Sequence, residues 1–318
     1  MTEMRAMVIE QTGGPEALRV AAIPRPKQAI GELIVKVTAA GVNPIDAKTR
    51  AGRGAAGLIE AWPVVLGVDV AGVVETPAYD THPLQPGDEV FGIITVPRAS
   101  GSYAEYVAVP STAVARKPQT LSLTHAAALP CAALTAWGAV VDVGKVKRGD
   151  RVLIHAGAGG VGHLAVQLAH HAGAHVITTA SQRNADWLME LGADQVIDYA
   201  STRFEEETHG IDVVIDLIGN VKDDTGSRSL SVLRPGGLII NVPTASWPTY
   251  RDEAEALGMR ASNLRAIPDG STLDAIAAMI DAGDLRVHID REFPLEEAAD
   301  AHRAIESGHT RGKIVLTV

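Results

Sequence analysis

With 318 residues, a formal net charge of −10 and one cysteine, Cys131, the chain can bury two cores but has no internal disulfide framework. Its acidic residues are scattered and its Lys and Arg residues form no dense cluster, which excludes the basic face that nucleic-acid binding needs. The opening MTEMRAMVIE lacks the apolar segment of a secretory signal, and the longest uncharged apolar run, residues 126–141, is too short for a bilayer and broken by Pro130. A cytoplasmic protein acting on a small molecule, with no membrane or nucleic-acid partner, is expected.

Residues 1–121 carry short apolar or alternating runs punctuated by Gly and Pro: LIVKVTAAGVN, VVLGVDVAGVV, DEVFGII and AEYVAVP. Runs of this length, rich in Val and Ile and bounded by turn residues, indicate a mostly β domain. From residue 122 the period changes. RVLIH reads as a strand, and in GVGHLAVQLAHHAG the residues Val161, Leu164, Ala165, Leu168 and Ala169 share one helical face, with Gly173 at the expected stop. HVITTA, QVIDY, DVVIDLIG and GGLIINV follow as strands, with NADWLMELGAD helical between the first two. Strands alternating with helices imply a parallel, doubly wound sheet. TLDAIAAMIDAG reads as a helix, and the tail ends in a further helix and a strand that returns to the first domain. The expected fold is α/β, with residues 1–121 plus 291–318 in a β-rich domain and residues 122–290 in a nucleotide-binding domain.

Gly157, Gly159 and Gly162 form a G-x-G-x-x-G motif directly after a strand and opening a helix, the context that makes this motif specific for a dinucleotide. The first Gly makes the tight turn, the second lets the pyrophosphate approach the backbone, and the third lets helix and strand pack closely. Gly160 and Val161 complete the turn at the helix N-terminus, whose N–H groups and dipole favour phosphate. An NAD site needs a carboxylate about 20 residues beyond the first Gly. Here VITTASQRNAD ends the second strand without one and places Ser181 and Arg183 in the following loop. A guanidinium and a hydroxyl favour a 2′-phosphate, so NADP(H) is the expected cofactor. A solvated Arg183 with no selectivity at the adenosine end is the alternative.

The segments MRAMVIEQTGGPEAL, AAGVNPIDAKTRAG, PVVLGVDVAGVVE, GDEVFG, GSYAEYV, AAALPCAALTAWGAV, HAGAGGVG, LGADQVIDY and HTRGKIVL, in this order and spacing, carry a resemblance. Nearly end to end, the chain resembles the zinc-independent quinone oxidoreductases of the medium-chain dehydrogenase/reductase superfamily. The resemblance implies a GroES-like substrate domain, a Rossmann domain inserted into it, an active site in the cleft, assembly as a homodimer or homotetramer, and reduction of quinones, enals or enones with NADPH. It also implies that Tyr199 lies near the adenosine phosphate with Ser181 and Arg183, that Ile218 and Gly219 lie beside the ribose, and that Val242 meets the nicotinamide end through its backbone. Lys313 is a weaker candidate for reaching the cofactor, a surface lysine on an edge strand being the alternative.

Zinc-dependent relatives hold their catalytic metal with Cys, His and Cys, and such a site requires three protein ligands. At the corresponding positions this chain has Asn43, Val68 and Cys131, so no metal is expected. Without a Lewis acid, quinones and α,β-unsaturated carbonyls are the better hydride acceptors, needing chiefly positioning and hydrogen-bond donors near the oxygen. Asn43 and Thr135 are the candidates for that work. An Asx turn before Pro44 and a helix N-terminal role are their structural alternatives. Asp46 and Lys48, in NPIDAKTR, are further candidates near the cleft, with a solvated or structural ion pair as the preferred reading for both, and Cys131 reads as a small buried apolar residue. An enone reductase is the nearest rival function, and a non-catalytic NADPH-binding protein is the rival from another class.

Overall fold

The computed structural model describes residues 2–94, 101–221 and 223–318. Most of the loop TVPRASGS, expected to border a substrate site, lies outside the described residues. The chain divides into two compact units, residues 1–134 with 267–318 and residues 135–266. The sequence reading puts these boundaries at 121/122 and 290/291. The shift at the far boundary has a packing cause: the Gly270–Ala282 helix lies against the Val114–Arg116 strand and belongs to the first unit.

In the discontinuous unit a seven-stranded sheet runs in the order Ile289–Pro294, Lys313–Thr317, Glu32–Val42, Asp69–Thr76, Glu89–Ile93 and Val114–Arg116, with Tyr106–Pro110 also paired to Glu32–Val42. The long central strand ELIVKVTAAGV exposes only Lys36 and Thr38, so it is buried on both faces and reads as a nearly continuous apolar run. The last strand does return to this unit: Ile314 pairs with Val42 and Leu316 with Ala40, antiparallel. A second sheet of three strands, Arg19–Pro24, Glu3–Ile9 and Val64–Val65, packs Met7, Val8 and Ile9 into a core shared with Tyr103, Leu295 and Ala301.

The central unit carries a parallel six-stranded sheet. Its order is Gln195–Asp198, His175–Ala180, Arg151–Ile154, Ile211–Asp216, Leu233–Asn241, Arg260–Asn263. Numbered along the chain this is 3-2-1-4-5-6, the doubly wound dinucleotide-binding order, with its switch point between Arg151–Ile154 and Ile211–Asp216. The sixth strand, RASN, is not legible from hydrophobic pattern, because it is a short polar edge with no fully buried residue. Leu153, Ile177, Val214 and Ile239 share one buried apolar cluster with Phe204 and Leu230, each worth about 1.5–3 kcal/mol of burial.

Candidate cofactor and active site

The glycine motif stands where the sheet order reverses. Gly157 follows the Arg151–Ile154 strand by a short turn, and Gly162 begins the Gly162–His171 helix, whose residues through Ala169 are buried. Gly173 ends it at φ +82°, donating its N–H to the His170 carbonyl, as the sequence indicates. Gly157 and Gly162 are fixed by close approach. A Cβ on Gly157 would lie 2.0 Å from the Thr178 hydroxyl, and one on Gly162 would lie 2.2 Å from the Ala156 carbonyl oxygen. Around Gly159 the nearest obstacle is 3.3 Å away, and Gly159, Gly160 and Val161 stay partly exposed. The loop therefore packs tightly where helix meets strand and stays open where a phosphate would approach, which fits a dinucleotide.

Ser181 and Arg183 follow the His175–Ala180 strand, and Tyr199 follows the adjacent Gln195–Asp198 strand. The Tyr199 N–H donates to the Ala180 carbonyl at 3.3 Å, joining the two strand ends, and the ring is 60% exposed, open to a ligand. Asn184 Nδ2 donates to the Ser181 hydroxyl at 3.2 Å, and Arg183 is exposed. No carboxylate occurs between Ile177 and Arg183. Ile218 and Gly219 follow the Ile211–Asp216 strand, and Val242 follows the next. The Val242 N–H is already given to the Asp216 carbonyl at 3.0 Å, so only its carbonyl and side chain remain for a ligand.

Two supports for these loops are absent from the sequence expectations. Asp216, fully buried, accepts the N–H groups of Ile218 and Gly219 at 2.9 and 2.8 Å and so shapes the loop. Burial raises its carboxyl, against those two bonds. His155 is the other. Ser229 Oγ donates to the Thr225 carbonyl at 2.6 Å, so it accepts the His155 Nε2–H at 2.8 Å. That leaves Nδ1 to accept from the Thr179 hydroxyl at 3.1 Å, while Thr179 Oγ1 accepts the Ala156 N–H at 3.2 Å. The chain of bonds ends on Ala156, held at φ +52° just before the glycine motif. Burial foremost, and Arg228 second, push His155 down to about 3, so it is a neutral strut. An acid or imidazole inside an apolar run, as in VVIDLIG and VLIHAG, is the signal that could have found both, because such a group must be partnered.

In the discontinuous unit, Asn43 caps the Pro44–Arg50 helix and is buried. Its Nδ2 donates to Asp69 Oδ2 at 2.8 Å, and its Oδ1 accepts from Lys313 Nζ at 2.5 Å. One amide hydrogen is thus spent inside the protein, on Asp69. For Lys313 the alternative of a surface lysine on an edge strand is corrected: it is 4% exposed and lies on an interior strand, between Ile289–Pro294 and Glu32–Val42. Asp46 is not a solvated ion pair. It is 2% exposed, accepting the Asn43 N–H at 2.8 Å and the Tyr103 hydroxyl at 3.3 Å, and Tyr103 in turn meets His302 Nε2 at 3.3 Å. Lys48 is half-buried, and burial and Arg53 lower its ammonium. Thr135 is buried within the Pro130–Trp137 helix and is the first residue of the central unit.

Burial, reinforced by Asp69, pushes Asp46 up to about 7 against the bond from Asn43. A folded carboxyl above its ordinary 3.8 holds its proton after the unfolded chain has lost it. Its contribution to stability therefore falls as pH rises from about 4 to about 7, by on the order of 4 kcal/mol. Asp46→Asn is expected to remove that decline, so its stability relative to wild type rises between about pH 5 and pH 8 in urea unfolding.

A metal does not fit the three positions that zinc-using relatives employ. Asn43 is already bonded at both ends of its amide, Val68 is an aliphatic side chain 2% exposed, and Cys131 is a lone soft ligand whose N–H is held by Asp69 Oδ1 at 2.7 Å. Among the described residues no group of three or more His, Cys, Asp or Glu side chains could hold a metal ion, and no helix is long and apolar enough to cross a membrane.

Comparison with known proteins agrees with this geometry. Residues 29–119 match the alcohol dehydrogenase GroES-like domain, and residues 191–316 match the zinc-binding dehydrogenase family model. The whole chain superposes on the quinone oxidoreductase of Coxiella burnetii with TM-score 0.94 and 41% identity, covering 100% of both chains. It is 34% identical to the mitochondrial NAD(P)H oxidoreductase RTN4IP1 of Danio rerio, over 100% of this chain and 92% of that one. It is 33% identical to the chloroplastic NADPH-dependent alkenal/one oxidoreductase of Arabidopsis thaliana, over 99% of this chain and 79% of that one. A GroES-like β-rich unit, a Rossmann unit and a ligand set without its metal-binding residues are the family's parts, and the chain belongs to the zinc-independent quinone oxidoreductases of the medium-chain dehydrogenase/reductase superfamily.

Proposed function

We propose that the protein transfers hydride from NADPH to a quinone or a related activated carbonyl acceptor. The observation that carries this reading is the cofactor loop itself. It opens at the sheet's switch point and is followed by Ser181 and Arg183 where an NAD site would need a carboxylate. When bound, the cofactor supplies the hydride. The chain's own residues bind and orient: the glycine loop and helix N-terminus hold the pyrophosphate, and Arg183, Ser181 and Tyr199 receive the adenosine phosphate. Ile218, Gly219 and the Val242 carbonyl line the ribose and nicotinamide end. Asn43 donates its remaining amide hydrogen to the acceptor oxygen, and Thr135 serves the nicotinamide side. A site without a Lewis acid favours acceptors that delocalise the incoming charge. Reduction of an enal or enone is the second reading, favoured by the likeness to the alkenal/one oxidoreductase.

NADPH consumption with 1,4-benzoquinone, 9,10-phenanthrenequinone, an enal and a saturated ketone tests the proposal. Turnover of a quinone or enal with none of the ketone is expected, and tight NADPH binding without turnover of any acceptor overturns it in favour of a non-catalytic binder. Arg183→Ala is expected to raise KM for NADPH about 10- to 100-fold while leaving NADH nearly unchanged, the loss of one or two charge-assisted bonds. Equal effects on both cofactors exclude the phosphate role. We further propose a cytoplasmic homodimer or homotetramer. The single cysteine suits a reducing compartment, and the unpaired Arg260–Asn263 edge strand supports assembly through the sheet; light scattering of the purified protein reads the mass.

A further inference from the structure

Lys313, Asn43 and Asp69 close a ring of hydrogen bonds inside the discontinuous unit, and all three are buried. Register brings them together. Ile314 pairs with Val42 on one side of the central strand and Ala71 with Ala39 on the other, so Lys313 and Asp69 flank the end of that strand and its next residue, Asn43. Gly41 makes room: a Cβ there would lie 2.7 Å from Asp69 Oδ2. Lys313 Nζ donates to Asn43 Oδ1 at 2.5 Å, to Asp69 Oδ2 at 3.2 Å and to the Val42 carbonyl at 3.3 Å, which occupies all three of its hydrogens. It therefore has no donor left for a cofactor phosphate. Asp69 Oδ2 also accepts from Asn43 Nδ2 at 2.8 Å, and Asp69 Oδ1 accepts from the Cys131 N–H at 2.7 Å.

This ring fixes the sense of the amide. An asparagine normally flips at little cost, exchanging oxygen for nitrogen. Here a flip would set Oδ1 against a carboxylate that only accepts and Nδ2 against an ammonium that only donates. The second Nδ2 hydrogen keeps one direction, its one acceptor among the described residues being the Gly41 carbonyl at a long 3.4 Å, which a better acceptor displaces. We propose that Lys313 and Asp69 are positioning residues that lock the Asn43 amide in one orientation for the acceptor oxygen, an inference that rests on the acceptor-binding role proposed for Asn43.

The test uses Lys313→Met, Lys313→Arg and the double variant Lys313→Met/Asp69→Asn, which removes the buried charges as a pair and spares the fold an unpaired one. Lys313→Met is expected to lower kcat/KM for the acceptor roughly 100-fold, the scale of a misplaced contact, while the NADPH dissociation constant changes less than about threefold. Lys313→Arg, which keeps the donor charge, is expected to recover most of the loss. The double variant is expected to stay folded and slow toward the acceptor. Acceptor kinetics at the wild-type level in the folded double variant, or a loss confined to NADPH affinity, overturns the proposal. If the wild type reduces no acceptor, the functional reading fails, and the clamp is then read by the side-chain amide resonance of Asn43 in selectively labelled protein, identified by its loss in Asn43→Asp. Slow hydrogen exchange that becomes fast in the double variant supports the clamp, and unchanged exchange refutes it.

Discussion

Gly162→Ala is expected to weaken NADPH binding at least about 100-fold and to destabilise the protein by about 1–3 kcal/mol, the cost of forcing a methyl into filled space. The added Cβ meets the Ala156 carbonyl oxygen at 2.2 Å and Gly157 Cα at 2.8 Å, and both obstacles are backbone. Neither can rotate away. Ala156 is already held at φ +52° by its bond to Thr179, so relief must come from moving the start of the Gly162–His171 helix. That movement shifts the N–H groups meant for the pyrophosphate. Gly159→Ala is the informative contrast, because its nearest neighbour is 3.3 Å away. It is expected to leave stability within about 0.5 kcal/mol of wild type while still weakening the cofactor, since its methyl stands where the pyrophosphate approaches. Fluorescence titration with NADPH and urea unfolding read the two effects separately. A folded Gly162→Ala protein with wild-type affinity contradicts the assignment of this loop.

Acidification is expected to destabilise the protein steeply through two histidines. His155 and His302 are fully buried and pushed down to about 3 from an ordinary 6.5, chiefly by burial, with Arg228 and Arg50 as the second causes. The unfolded chain binds a proton at each below 6.5, whereas the folded chain does not until about 3. Stability is therefore lost as pH falls through this window, by on the order of 4–5 kcal/mol per histidine across its full width. Between about pH 7 and pH 4.5 each contributes roughly 2–3 kcal/mol of that loss. His155→Gln and His302→Gln are expected to be less stable than wild type at neutral pH, because each breaks a bonded network, yet flatter toward acid by that amount. A wild-type slope in both variants contradicts the neutral, buried assignment. The Asp46 contribution runs with the opposite sign, so Asp46→Asn steepens the acid loss and serves as an internal control.

Hydrophobic rhythm carried most of the architecture. The alternating helix and strand texture from RVLIH to GGLIINV maps onto the five strands that form the interior of the parallel sheet and one edge, because strands buried on both faces must be apolar throughout. RASN is illegible for the converse reason: an edge strand has no such demand. The cofactor loop was legible because its glycines answer local steric needs that a sequence states outright. The polar centre of the discontinuous unit was not, because it is assembled from Asn43, Asp69 and Lys313, brought together only by strand register. Asp69 in VLGVDVAGVV and Asp216 in VVIDLIG were visible as acids within apolar runs, yet periodicity alone says nothing of their partners. The surface-lysine alternative for Lys313 stays open in the sequence for the same reason, since order within the sheet decides which strand is an edge.

The central claim is that hydride passes from NADPH to an activated acceptor without a metal. It is tested most directly by single-turnover reduction of 1,4-benzoquinone with NADPH deuterated at the transferring C4 position, in protein dialysed against a chelator. A normal primary isotope effect on the hydride step, with a rate unchanged by chelation, is the result expected from the Asn43, Val68 and Cys131 arrangement. Activity that vanishes on chelation and returns with zinc, or reduction that shows no isotope effect in a single turnover, would contradict it.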